Sequence, residues 1–244
     1  MFQVAALLGY AERHGHTPVF LEEPRPSAEH PQTAFRAHEW SRIPVRPDLQ
    51  HTAWIPLKLG TFTYEPPPFI AGNVMLEGYA QSEAYGPSKL PTFSPKLSPS
   101  MISLPWHSMF FLHVRRGDYL HPANGHHAVD LRDYYCRCLR TFPREMACFV
   151  VSDDMEWCKV NVPELDPGRR WIWCPPIPDT EVLFWMSSCA GGICANSTFS
   201  WWAAKLGWDV KKKGQYHMPV PWGYGPTFSN TRDLYPSWAV IQTL

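Results

Sequence analysis

Met109-Phe110-Phe111-Leu112-His113-Val114-Arg115-Arg116-Gly117-Asp118-Tyr119 carries an apolar run straight into a doubly cationic turn. Residues 109–114 read as a strand, and the turn sits at its carboxyl end, the mouth of a parallel sheet. Two adjacent guanidiniums repel each other unless something doubly negative lies between them. Phosphate meets that need, because arginine presents a planar fork of donors that matches phosphate oxygens. Gly117 lets the backbone approach a ligand closely. The same residues also admit a plainer reading, an exposed arginine pair salt-bridged to Asp118.

Downstream the pattern keeps a steady rhythm. Strands expected at 109–114, 148–151, 171–173 and 192–195 alternate with helices expected at 131–140, 154–160, 180–188 and 198–206. About 100 residues of such alternation indicate βαβ units and an α/β, Rossmann-like parallel sheet. Ligands of these sheets bind at the carboxyl ends of the strands. Upstream, residues 2–13 have the apolar spacing of an amphipathic helix, and 17–21 read as a buried strand. Residues 24–70 are proline-rich and poorly periodic, with room for short strands near 52–57, and 74–79 read as a further strand. The loop 86–105 holds five prolines, and the boundary between an irregular N-terminal lobe, 1–105, and a C-terminal lobe, 106–244, is placed there.

Composition narrows the function classes. The 244 residues balance 22 basic against 22 acidic side chains and are 45% apolar. That is enough for a sizeable core and lacks the basic excess of a general nucleic-acid binder. No stretch approaches the roughly 20 apolar residues of a membrane span. The apolar part of residues 1–10 is short and meets Glu12-Arg13-His14 at once, unlike a signal peptide. The seven cysteines, at 136, 138, 148, 158, 174, 189 and 194, leave at least one unpaired. Cys136 and Cys138 are too close for a zinc knuckle, and no histidine pair sits at finger spacing. Most are expected to be core thiols.

Two further motifs fall at strand ends. In Ser152-Asp153-Asp154-Met155-Glu156-Trp157-Cys158-Lys159, Ser152 or Asp153 suits a helix N-cap, and Asp154 and Glu156 suit its first turn. Two adjacent acids also invite a ligand, either a nucleotide's hydroxyl and base edges or a divalent metal. In Asn196-Ser197-Thr198-Phe199-Ser200-Trp201-Trp202-Ala203, small hydroxyl residues open a helix and make an anion site with its N–H groups. Asn196-Ser197-Thr198 is also a glycosylation sequon, expected to be buried and unmodified. Cationic forks, paired carboxylates and a helix N-terminus on one sheet edge together point to a nucleoside diphosphate.

These three segments, in this order, resemble the signatures of the α-1,2-fucosyltransferases, galactoside 2-α-L-fucosyltransferases of the glycosyltransferase family 11 type. Leu76-Glu77-Gly78-Tyr79-Ala80-Gln81-Ser82-Glu83-Ala84-Tyr85 is similar to that family's Gly-Tyr-Phe-Gln-Ser-Glu segment, and Met1-Phe2-Gln3-Val4-Ala5-Ala6-Leu7 to its first helix. The resemblance implies a two-lobed, GT-B-like fold with an acceptor side in 1–105 and a nucleotide-sugar lobe in 106–244. It implies inverting transfer of L-fucose from GDP-β-L-fucose to the 2-hydroxyl of a terminal galactose on a glycan, with no metal or other cofactor. Arg115 would neutralise the departing diphosphate with Arg116, and Asp118 would orient the arginines. His113, Asp153 and Asp154 would contact the nucleotide. Asn196, Ser197, Thr198 and Phe199 would border the phosphates and the sugar. Candidates for the base are Asp118, His121, His126, His127 and Glu83.

The family's Gly-Gly-x-Gly-Asn-Gln segment is expected just before Met1-Phe2-Gln3 and does not occur in this sequence. Two alternatives follow: a catalytically impaired binder of GDP or glycan, and a fucosyltransferase with another acceptor. A Golgi setting is implied for an animal-like member and a cytoplasmic one for a bacterial or viral member.

Overall fold

The computed structural model describes residues 1–22 and 42–244. Residues 24–41 of the proline-rich stretch lie outside the described residues. The chain divides into two compact units, Met1–Ser94 with Asn230–Pro236, and Pro95–Ser229 with Ser237–Leu244.

The larger unit is built on a six-stranded, all-parallel sheet. Its strands are β3 (Met109–Val114), β4 (Ala147–Ser152), β5 (Trp171–Trp173), β6 (Gly191–Ile193), β7 (Tyr216–Val220) and β8 (Val240–Thr243). Their order in space is β5-β4-β3-β6-β7-β8. The chain therefore steps outward from β3 to β5, returns to the other side of β3, and steps outward again to β8. This is the strand order of a doubly wound dinucleotide-binding sheet, and its switch point lies between β3 and β6.

The long crossovers carry α3 (Arg132–Leu139), α4 (Met155–Asn161), α5 (Asp179–Ser188) and α6 (Thr198–Lys211). All six residues of β3 are buried, as a central parallel strand covered on both faces must be. Phe110, Leu112 and Val114 pack with Tyr134, Tyr135, Cys138 and Leu139 of α3 and Cys158 of α4. Successive strand residues point to opposite faces, and Phe111 lies against Gly192. A Cβ on that glycine would fall 2.1 Å from the Phe111 ring. Trp185 of α5 stacks on Trp106 at 4.7 Å, and Trp106 meets Phe149 of β4 edge-on.

The alternation read from the sequence agrees with these elements to within a few residues, with three corrections. α6 runs five residues past its expected end at 206, because Gly207 is an interior glycine rather than a stop: a Cβ there would fall 2.5 Å from the Tyr216 hydroxyl. β7 and β8 were not expected. Pro219 and the buried His217 break the apolar pattern of β7, and the four residues of β8 form a half-exposed edge. A short helix, α2 (Pro99–Ile102), interrupts the 86–105 loop.

In the smaller unit α1 (Phe2–His14) forms as its apolar spacing requires. A Cβ on its Gly9 would fall 2.1 Å from the Tyr85 carbonyl oxygen, so the helix packs directly on that backbone. The Tyr85 hydroxyl donates to the Thr63 carbonyl and accepts from the amides of Gly60 and Glu65. β1 (Ile55–Lys58) and β2 (Val74–Glu77) form a parallel pair. The buried strand expected at 17–21 is absent. Phe20 makes one isolated bridge to Val45, and Pro18 removes a ladder donor beside it. Among the described residues no helix is long and apolar enough to cross a membrane. All seven cysteines are free, five of them buried, and burial pushes the thiols of Cys138 and Cys174 up to about 12.

Candidate functional site

The turn after β3 and the loop after β6 flank the switch point, and the turn after β4 lies beside them. All three motifs therefore meet at the carboxyl edge of one sheet.

Arg115 is anchored twice. Its Nε lies 3.1 Å from Asp153 Oδ2, and its Nη2 lies 2.7 Å from Asp118 Oδ1. The backbone amide of Arg116 donates to Asp153 Oδ1 at 2.9 Å. Arg116 Nε donates to Asp154 Oδ2 at 3.1 Å, and its guanidinium lies 3.9 Å over the Trp157 ring. Both arginines are thus held at Nε, and Arg115 also at Nη2. Nη1 of Arg115 and both Nη atoms of Arg116 have no partner among the described residues. With side chains about one quarter exposed, those nitrogens are available to an anion.

The structure refines the reading of the acids. The expected pairing of Arg115 with Asp118 is present. Asp153 and Asp154 turn their oxygens toward the arginines, and Asp154 also caps α4 by accepting from the Trp157 amide at 3.2 Å. Among the described residues no group of three or more His, Cys, Asp or Glu is placed to hold a metal ion.

His113, near the end of β3, is buried, and its ring centroid lies 5.6 Å from that of Phe199. Burial above all, with Arg115 adding and Asp153 opposing, takes its pKa down to about 3, so the ring is neutral. Asn196 is buried as expected. Its Nδ2 donates to the carbonyls of His127 and Trp222, both at 2.9 Å, and its own carbonyl accepts from the Tyr119 hydroxyl. Asn196 therefore ties its own loop to the β3–α3 connection, at 119 and 127, and to the segment after β7, at 222. Ser197 is the N-cap of α6, accepting from the Phe199 amide, while Thr198 is exposed and Phe199 half-buried.

Of the candidate bases, Asp118 is occupied by Arg115, and His121 is exposed with Nδ1 accepting from the Ala123 amide. His126 and His127 stand in a ring cluster with Tyr119 and Phe228. Glu83 belongs to the smaller unit. Sequence reading passed over Asp179. It opens α5 at the same sheet edge, and burial raises its pKa while the field of Arg115 opposes the rise. An acid opening a helix soon after a strand, the signature already noted at Asp154, was the available signal.

Residues 106–214 match the model of glycosyl transferase family 11. That segment runs from just before β3 to just past α6 and holds all three motifs, so the match falls on the same residues that carry the resemblance. Two relatives from Escherichia coli are similar over part of this chain. One, named O-antigen biosynthesis glycosyltransferase WbnK, is 37% identical over 101 residues, 39% of this chain and 33% of the relative. The other, named alpha-1,2-colitosyltransferase, is 34% identical over 118 residues, 46% of this chain and 40% of the relative. The chain thus spans 33% to 40% of the length of these curated relatives.

Proposed function

We propose that this chain is a member of glycosyl transferase family 11 and an inverting glycosyltransferase with a GT-B-like fold. In this reading it moves L-fucose from GDP-β-L-fucose to the 2-hydroxyl of a terminal galactose. The larger unit serves as the donor side. The observation that carries the reading is the pair of guanidiniums, held at Nε by Asp153 and Asp154, with Arg115 Nη1 and both Arg116 Nη atoms open, beside the N-terminus of α6 at the switch point. Fixed donors aimed at a departing diphosphate act where negative charge develops. The helix N-terminus adds backbone N–H groups of the same sign.

The relative named for α-1,2-colitosyl transfer supports a second reading in which the donor sugar is colitosyl, with the same linkage. Calorimetric binding of GDP and GDP-fucose in EDTA, followed by transfer to lactose, tests both. Binding with fucosyl transfer is expected. GDP binding with transfer only from a colitosyl donor would select the second reading. GDP binding without transfer from either would mark a binder, and no GDP binding would overturn the donor-side assignment.

A further inference from the structure

The loop leaving the arginine turn folds back on it as a stack of rings. His127 is stacked on Tyr119, with centroids 4.8 Å apart and planes at 16°, and Phe228 meets His127 edge-on at 5.2 Å. His126 lies 4.2 Å from His127, and the Arg115 guanidinium lies 5.5 Å from the Tyr119 ring centroid. The backbone of the stack is tied down as well. Asn196 donates to the His127 carbonyl, the Tyr224 amide to the His126 carbonyl, and Asn124 Nδ2 to the Asp118 carbonyl. His127 is thus a fixed ring, one aromatic layer from the Arg115–Asp118 ion pair.

Its chemistry is equally constrained. Nδ1 of His127 is buried with no hydrogen-bond partner, while the residue as a whole is half-buried. Nε2 has no partner among the described residues, so exchange with a ligand falls to its edge; for Nε2 to accept, the neutral ring carries its one proton on Nδ1. Burial first, then His126 and Arg115, push its pKa below the usual 6.5, with Asp118 opposing. The other groups packed around it are Tyr119, whose phenol is raised to about 12, and the uncharged Phe228 and Asn196.

Resting on the transferase reading, we propose that His127 receives the proton of the acceptor hydroxyl. The rings of His126 and Phe228 would support the apolar face of the acceptor pyranose. The hydroxyl oxygen bonds to the anomeric carbon of the donor, and the bond from that carbon to the diphosphate oxygen breaks. The bonding pair leaves on the diphosphate, which faces the arginines. The hydroxyl proton passes to Nε2, and the imidazolium then returns it to water.

The test is turnover of GDP-fucose and lactose from pH 5 to 8 by the wild-type chain, His127→Phe and His127→Gln, with GDP affinity measured alongside. Phenylalanine keeps the stack and removes the lone pair. The wild-type rate is expected to fall as pH drops below the His127 pKa. Both variants are expected to lose about 100-fold or more in kcat, without that acid limb and with GDP affinity unchanged. The limb should persist in Asp179→Asn, which removes another shifted group near Arg115. Wild-type turnover in His127→Phe or His127→Gln, or a wild-type profile with no acid limb, would overturn the assignment while leaving the transferase reading intact. A wild-type chain that neither binds GDP nor turns over would overturn both. If His127→Phe fails to fold, His127→Gln carries the comparison.

Discussion

Asp153 lies so close to Gly117 that a methyl group there would fall 2.6 Å from its Oδ2. That carboxylate holds Arg115 through Nε and Arg116 through its backbone amide. Gly117→Ala should therefore push the carboxylate aside and release the guanidinium it aims. Misplacement of a charged group by about 1 Å costs about 100-fold in a well-oriented site. The expected result is loss of turnover on that order with a melting temperature close to wild type, measured by initial rates and thermal unfolding. Full turnover would show that Asp153 does not position Arg115.

Arg115→Lys keeps the charge and loses the geometry. An ammonium cannot hold Asp153 and Asp118 at once and still present a free nitrogen to a phosphate. Removing one aimed donor from a site of developing negative charge costs about 100-fold or more in kcat. Loss of that size, with GDP binding weakened but measurable by calorimetry, is expected. A near-normal kcat would remove Arg115 from the chemistry.

Some of this site was legible in the sequence and some was not, for physical reasons. The arginine turn could be read because an apolar run ends abruptly at two adjacent charges, and the alternation around it indicates a parallel sheet. The order of strands could not be read, since it depends on pairings between segments such as β3 and β6 that lie far apart in the chain. Asn196 looked like a ligand contact, yet its amide bonds to carbonyls at 127 and 222, which no local pattern reveals. Asp153 and Asp154 read as nucleotide contacts because acids at strand ends often are. Only the geometry shows their oxygens turned toward Arg115 and Arg116. Glu181 sits in the first turn of α5 with no local pattern to mark it, and it is buried.

Glu181 accepts from the Ser98 amide, the Ser98 hydroxyl and the Trp185 indole at 2.7, 2.8 and 3.0 Å. Desolvation pushes its pKa up, but these bonds outweigh it and hold the carboxyl below its ordinary value. Glu181→Ala leaves donors without an acceptor in the core, a change that costs about 3 kcal/mol. Glu181→Gln keeps one acceptor oxygen and should fall between the variant and the wild type. Urea unfolding reads both. A loss in Glu181→Ala under about 0.5 kcal/mol, the range of ordinary surface substitutions, would show that the network contributes little.

Two buried imidazoles set how the chain responds to mild acid. Burial takes His113 to about 3 and His217, whose ring also lies edge-on to Phe142, to about 4. In the unfolded chain both titrate near 6.5. Between that value and the folded pKa the unfolded state binds more protons, so stability rises with pH across this window. The stabilisation is complete above about pH 6.5 and is lost as pH falls toward 4 and then 3. At pH 5, about 1.5 units below the unfolded pKa, each ring costs about 2 kcal/mol relative to pH 8. Ordinary carboxylates remain largely ionised over that range, which keeps the histidine contribution separable. Urea midpoints measured from pH 8 to 5 should fall steadily, and His217→Gln, which removes one of these rings, should show a clearly smaller slope. A midpoint that stays flat down to pH 5 in the wild type would mean that both rings accept a proton without unfolding.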